Sequence, residues 1–461
     1  MIKKALVVFF LCFIVSYCAN PTGSTGMQSV PFSMDELKRR TFLYFWELAD
    51  PQFGQIPDRY PSLTFSSIAA TGFGLSAYLT GIENGYISRE DGAKRTLMTL
   101  RALWAMPQGP QESGVSGYKG FFYHFLTLDQ ATRFKQVELS SIDTGLLMAG
   151  ILSAMSYYDG PEEAEVNIRS LADSLYRRVE WDWMLNDSMR LSMGWHPEKG
   201  FIASDWRGYN EAMVLLIMAI GSPTHPVPPE VWDTWCETYR WMDFQGFEHI
   251  NFAPLFGHQY SQMFIDFRGI QDEYMRSKGI DYFENSRRAT LANRAYCIQN
   301  PGAFLGYDSM HWGLTACDGP ANKTVDRAGQ SIRFHDYWAR GACAWQIHDD
   351  GTIAPTAAGG SIPFAPEVCI PTVEHLWNDY YHELIDTFGF KDAFNPTYQE
   401  DHPDGWFDPD YLGIDQGPIA LQIQNYETGL IWKKKKKNPY ILEGLRKAGF
   451  TGGWLDHPLN Q

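Results

Sequence analysis

Asp143 in SSIDTGLL, Glu211 in GYNEAM and Asp415 in YLGIDQGP each stand just ahead of an apolar, nearly charge-free stretch. Glu138 in VELSSID and Asp318 in LTACDGP keep similar company, beside Gly and small residues instead of on a solvated, charge-rich face. Taken singly, each reads as an ordinary cap, since a carboxylate near a helix N-terminus bonds free N–H groups and complements the dipole. Their repetition points to chemistry. Hydrolysis of a glycosidic bond needs one protonated acid to supply a proton to the leaving oxygen. It also needs one ionised partner to activate water or attack the sugar carbon. Burial beside Trp206 and Tyr209 would raise the pKa of Glu211, which makes it the candidate general acid. Asp143 and Asp415 are its candidate partners, and Glu138 and Asp318 are candidate substrate-binding residues.

Aromatics flank these acids: Tyr123 in KGFFYHF, Trp195 in MGWHPEKGF, Trp206, Tyr209, Tyr260 in FGHQYSQMF and Trp312 in MHWGL. The C–H faces of sugars stack on such rings, while polar residues such as His196, His258 and Arg268 bond hydroxyls. Any one of these rings could instead fill the core.

Apolar periodicity predicts twelve helices that would position these groups, near 34–50, 64–79, 88–105, 139–158, 162–179 and 209–220, then 228–241, 260–276, 279–299, 366–385, 416–433 and 436–447. Ser33 and Glu36 suggest a capping box before the first. No βαβ alternation appears, which excludes a parallel sheet. An even set of helices with alternately short and long connections suits a double ring of six inner and six outer helices, an (α/α)6 toroid. In such a ring the inner helix starts open on one face and bring distant acids together. Residues 105–138 and 300–365, crowded with Gly, Pro, Asp and aromatics, read as long loops that wall a cleft.

The 461 residues carry 38 Lys plus Arg against 54 Asp plus Glu, a formal charge of −16 that repels polyphosphate backbones and excludes nucleic acid as a partner. Aromatics make up 15% of the chain, more than core packing requires. Cys236, Cys297, Cys317, Cys343 and Cys369 show neither a disulfide framework nor metal-ligand spacing, so no metal or cofactor is expected. GFGLSA at 72–77 reads as helix packing, not dinucleotide binding, because no strand precedes it. The five lysines of IWKKKKKNPY close a helix where cations suit the dipole, with contact to an anionic surface as the alternative.

The N-terminus, MIKKALVVFFLCFIVSYCAN, pairs two lysines with a short apolar run, the layout of an export signal. It resembles a bacterial lipoprotein signal, with Cys18 as the lipidated residue; export without lipid is the alternative. The expected organisation is a signal at 1–17, a tether at 18–32 and one catalytic domain over 33–461. The expected state is a monomer held in the periplasm or at the outer membrane by its lipid.

SSIDTGLL, LSMGWHPEKGF, GYNEAM, PLFGHQYSQMFIDFRG, KGIDYFENSRRATLANRAY, WGLTACDGP, DDGTIAPTAA, YLGIDQGPI and GFTGGWL together resemble the bacterial glucoamylase-like, or glycoamylase, family. That family includes endo-β-1,2-glucanases of glycoside hydrolase family 144 and a domain of cyclic β-1,2-glucan synthases. The resemblance runs from about residue 33 to Leu455 and implies an (α/α)6 toroid and a metal-independent hydrolase of neutral glucans. It places the acidic pocket on Asp143, Glu211 and Asp415, with Glu138 and Asp318 as further candidates. Cys317 stands where a small hydroxyl residue is expected, and Asp308-Ser309 where some relatives place Glu. A sugar-capturing lipoprotein without catalysis is the second reading, but it needs aromatics and not acids at helix mouths.

Overall fold

The computed structural model describes residues 30–327, 329–400 and 402–456. The expected signal segment, Cys18 and nearly all of the tether lie outside the described residues. From Pro31 onward the chain clusters as a single compact unit. It is rich in helix: α1 (Met34–Glu47), α2 (Ile68–Glu83), α3 (Arg89–Ala105), α4 (Ser141–Tyr157), α5 (Glu163–Arg178), α6 (Met213–Gly221), α7 (Glu230–Cys236), α8 (Phe256–Phe264) and α9 (Glu273–Lys278). There follow α10 (Tyr282–Gln299), α11 (Pro355–Gly359), α12 (Pro366–Asp379), α13 (Tyr381–Leu384), α14 (Gly413–Thr428), α15 (Leu430–Lys435), α16 (Pro439–Lys447) and α17 (Gly453–Asp456).

Six of these are buried along nearly their whole length: α2, α4, α6, α8, α11 and α14. α2 packs on α4, α4 on α6, α6 on α8, α8 on α14 and α14 back on α2. α11 lies against α14 and is tied to α8 by Gln259, whose Nε2 donates to the carbonyls of Thr356 and Ala357. Against this set pack α1, α3, α5, α10, α12 and α16. Helices apolar all round must be covered on all sides, and the second set does so with one amphipathic face each.

Glycine sets the closest approach. A Cβ on Gly150 of α4 would stand 2.0 Å from the Gly72 carbonyl oxygen of α2, so the GFGLSA stretch serves helix contact as its pattern suggested. α14 carries Pro418 in its first turns, which cannot donate to the Ile414 carbonyl; the Tyr260 hydroxyl of α8 donates there instead, at 3.1 Å.

Several expectations are corrected. The single helix expected over 260–276 is two, because Asp266 draws the Arg268 N–H into a turn and Gly269 takes a positive φ of 74° before Asp272 caps α9. α11, within a stretch expected to be loop, is short but wholly buried. The expected loop at 105–138 holds strands at 117–118 and 121–123, which join 139–140, 194–196 and 200–201 in a five-stranded sheet. All its ladders are antiparallel. Ser33 does accept from the Glu36 N–H, but the Glu36 side chain turns to Arg39 and Arg40 instead of completing the box. Much of the lysine run is committed internally: Lys435 is buried with Nζ on the Ala149 carbonyl, and Lys436 pairs with Asp266 at 2.7 Å. All five described cysteines are free and buried. No helix among the described residues is long and apolar enough to cross a membrane.

Candidate active site

The buried helices bring three acids to one region. Asp143 lies in the first turn of α4, whose N-cap Ser140 accepts from the Asp143 N–H and donates to its carboxylate. Glu211 lies two residues before α6, and its carbonyl accepts from Ser261 of α8. Asp415 lies in the first turn of α14, and its carbonyl accepts from Thr356 of α11. Burial suppresses ionisation of the Tyr260 hydroxyl, and the charges of all three acids add to it. Trp206 ties the Glu211 segment to α4: its indole Nε1 donates to the Ser141 Oγ at 2.9 Å.

Glu211 keeps some exposed surface, but its Oε2 is buried and has no protein partner. Burial, reinforced by the charge of Asp143, lifts its pKa to about 7, so a large share of the carboxyls still carry a proton in neutral solution.

One flank of the site is built on His124, which follows the strand Phe121–Tyr123. Its Nδ1 meets Glu138 Oε1 at 2.8 Å and its Nε2 meets Asp143 Oδ1 at 3.5 Å. Burial opposes the imidazolium, but the charge of Asp143 and the hydrogen bond to Glu138 outweigh it and lift His124 to about 9. Glu138, also penalised by burial, is held at about 2 by His124. Asp143 is raised by burial and restrained by His124 and Ser140.

The other flank is a group of buried carboxylates around Arg59. The strand Arg59–Tyr60 pairs with Tyr411–Leu412, which leads into α14 and so sets Asp58 and Arg59 beside Asp415. Arg59 donates to Asp318 Oδ2 at 2.6 Å and to Asp58 Oδ2 at 3.2 Å. The Asp318 N–H donates to Asp392 Oδ2 at 2.7 Å. Asp392 and Asp415 act on each other and both are raised, chiefly by burial, Asp415 to about 8 and Asp392 well above the ordinary range. Asp408 is pushed up to about 9 by burial and by the charges of Asp392 and Asp318. Oxygens of Asp318, Asp392 and Asp408 lie within 4.8 Å of one another, a donor set suited to a hard cation, although protons and Arg59 already offset its charge.

The structure distributes the expected substrate-binding residues unevenly. Glu138, Trp206, Tyr260 and Asp318 surround the acids, as described. Trp195 and His196 are half-buried on the five-stranded sheet, Trp195 against Tyr118 and Trp183, His196 at 3.3 Å from Arg133. Tyr123, Tyr209, His258 and Trp312 are exposed by 1% or less and present no face to a sugar. Tyr123 lies under Arg133, Tyr209 and His258 pack on each other, and the Trp312 Nε1 donates to Thr372. Arg268 pairs with Asp266 over Trp432, in a pocket it shares with Asn425 and Lys436 near the far end of α14 from Asp415. His124, Arg59, Asp58 and Asp392 went unsuspected in the sequence, as did Tyr337, which is 46% exposed yet lies in the field of Asp415 and Asp58. A cavity of about 270 Å³ adjoins the Glu211 segment, lined by Arg207, Tyr209, Arg240, Asn251, Phe252 and Trp345.

With this geometry in place, comparison with known proteins finds that the glycoamylase family model, described as "Putative glucoamylase", matches residues 203–439. A Bacteroides uniformis structure carrying the same description is 32% identical, with a TM-score of 0.79 over 93% of this chain and 100% of that one. The chain belongs to the glycoamylase family. Within it, an endo-β-1,2-glucanase from Chitinophaga pinensis, solved with sophorotriose and glucose, is 30% identical with a TM-score of 0.78, covering 91% of this chain and 99% of that one. An exo-β-1,2-glucooligosaccharide sophorohydrolase (non-reducing end) from Parabacteroides distasonis is 28% identical over 90% of this chain. The chain spans 57% of the length of that curated relative.

Proposed function

We propose that this glycoamylase is a glycoside hydrolase that cleaves β-1,2-glucan to sophorose or short oligosaccharides. The observation that carries the reading is the carboxyl of Glu211, with one oxygen buried and unpartnered and its pKa raised to about 7, in the field of a second acid and near a third. The names of the Chitinophaga and Parabacteroides relatives supply the linkage. In the reaction Glu211 gives its proton to the glycosidic oxygen as that bond to the anomeric carbon breaks. Asp415, once it has given up the proton that burial favours, takes a proton from the water whose oxygen bonds to the anomeric carbon. Asp143, fixed by Ser140 and His124, adds negative charge that favours the protonated form of Glu211 and the cationic sugar of the transition state.

The closed series of contacts among α2, α4, α6, α8, α11 and α14, with a second helix outside each, supports an (α/α)6 toroid. Export as a lipoprotein anchored through Cys18, in the periplasm or at the outer membrane, rests on the N-terminal sequence alone, and a monomer is the state assumed for it.

The deciding experiment measures reducing-sugar release from linear β-1,2-, β-1,3-, β-1,4- and α-1,4-glucans by the chain from Met27 onward, beside Glu211→Gln. Release is expected from the β-1,2 polymer alone, with turnover lowered about 10²–10⁴-fold in the variant and glucan binding retained. Binding of glucan with no release by the unaltered chain would establish the capture-protein reading instead.

A further inference from the structure

Away from the acids, the stretch Gly306–Trp312 folds against the last turns of α12, and three side chains meet there with no part in the proposed reaction. The ligand atoms of His311, His375 and Asp379 all lie within 4.8 Å of one another. His311 is 9% exposed, and its Nδ1 is 3.1 Å from Asp308 Oδ1. Asp308 has only acceptors for that ring, so Nδ1 carries the hydrogen and Nε2 presents its lone pair. That Nε2 is buried and has no protein partner. An imidazole held by a carboxylate on one nitrogen, with the other nitrogen free, is the arrangement that orients a metal-binding histidine.

The facing groups are also suited. His375 and Asp379 are one turn apart on α12, with Nε2 and Oδ2 at 3.1 Å, and the hydrogen that joins them is released to solvent when an ion takes its place. Neighbouring ligands of a tetrahedral zinc ion, bonded at about 2.0–2.2 Å, lie about 3.3 Å apart. The His311 and His375 rings have centroids 4.8 Å apart. Trp312, through its bond to Thr372 of α12, holds the adjoining His311 in place. Asp379 also lines a surface cavity of about 740 Å³ with Tyr380, His402 and Trp406, which gives an ion a way in. A helical His–Asp pair and a local turn would each be ordinary alone; neither accounts for the buried, unpartnered nitrogen directed at both.

We propose that His311, His375 and Asp379 bind a divalent transition-metal ion of the zinc class, with water completing the coordination. Two imidazoles favour such ions over calcium or magnesium, which prefer all-oxygen sets. The ion would pin the 306–312 stretch to α12 and takes no part in the hydrolysis.

The test uses the untagged chain from Met27 onward, equilibrated with zinc chloride, freed of excess by gel filtration, and assayed for bound metal and thermal midpoint. One zinc per chain and a raised midpoint are expected, with calcium giving no such shift. His375→Gln and Asp379→Asn alter partly exposed side chains that the fold does not need, and each should weaken zinc binding at least tenfold while leaving glucan turnover unchanged. Zinc bound equally by the variants, or no zinc retained by the unaltered chain, would overturn the proposal.

Discussion

His124 is the residue on which the charge balance of the candidate site turns, because it holds Glu138 and Asp143 at once. Its raised pKa means that it contributes stability fully present below the unfolded value of about 6.5 and lost as pH rises through about 9. Glu138, with a lowered pKa, contributes stability present above its ordinary value of 4.5 and lost as pH falls through about 2. The thermal midpoint of His124→Gln should therefore fall furthest below that of the unaltered chain between about pH 4.5 and 6.5, and the gap should close above pH 9; a melting series across pH reads this. Glu211 sets a separate limit. As the acid it must be protonated, so kcat/KM on β-1,2-glucan should decline above about pH 7, tenfold per unit. An alkaline limb beyond pH 9 would point to another acid. The three principal acids were legible because each interrupts an apolar pattern next to Gly or an aromatic. His124, Arg59 and Asp392 were not, because nothing in KGFFYHF, PDRYP or GFKDAF tells them from surface polar residues. Their roles arise only from pairing across the fold.

At the scale of elements, two contacts fix how the acid-bearing helices sit. The Gly72–Gly150 approach leaves no room for a methyl group, so Gly150→Ala must push α2 and α4 apart. A loss of about 1–3 kcal/mol, the usual range for overpacking, is expected in denaturant unfolding. Tyr260 does for α14 what the missing proline N–H cannot. Tyr260→Phe leaves the Ile414 carbonyl unsatisfied at a cost of about 1–3 kcal/mol. It should also lower kcat, since Asp415 is the next residue; equal activity with lowered stability would restrict Tyr260 to a structural part. The helical pattern was readable wherever apolar spacing ran long, as in α3, α4, α5 and α10. It failed at α11, whose Pro-Thr-Ala-Ala-Gly reads as a loop and is held helical by complete burial. It failed again past α8, where an Asx turn and a left-handed glycine end the helix before its apolar spacing does.

Over the whole molecule, the predicted site depends on parts of the chain far apart in sequence, and the anchoring reading depends on its first residues. If Cys18 carries lipid, Cys18→Ala should move the protein from the membrane to the soluble fraction with unchanged turnover per molecule, as fractionation and assay would show. The pairing of Arg59–Tyr60 with Tyr411–Leu412, and of α14 with both α1 and α2, has a consequence in time. A chain growing from its N-terminus holds Glu211 and Asp143 long before Asp415 and its neighbour Asp392 exist. It can bury neither α2 nor Asp58 correctly until those late segments arrive to close over them. A chain that stops short of Tyr411 lacks both the strand that pairs with Arg59–Tyr60 and the helix that carries Asp415, and so cannot complete the proposed site.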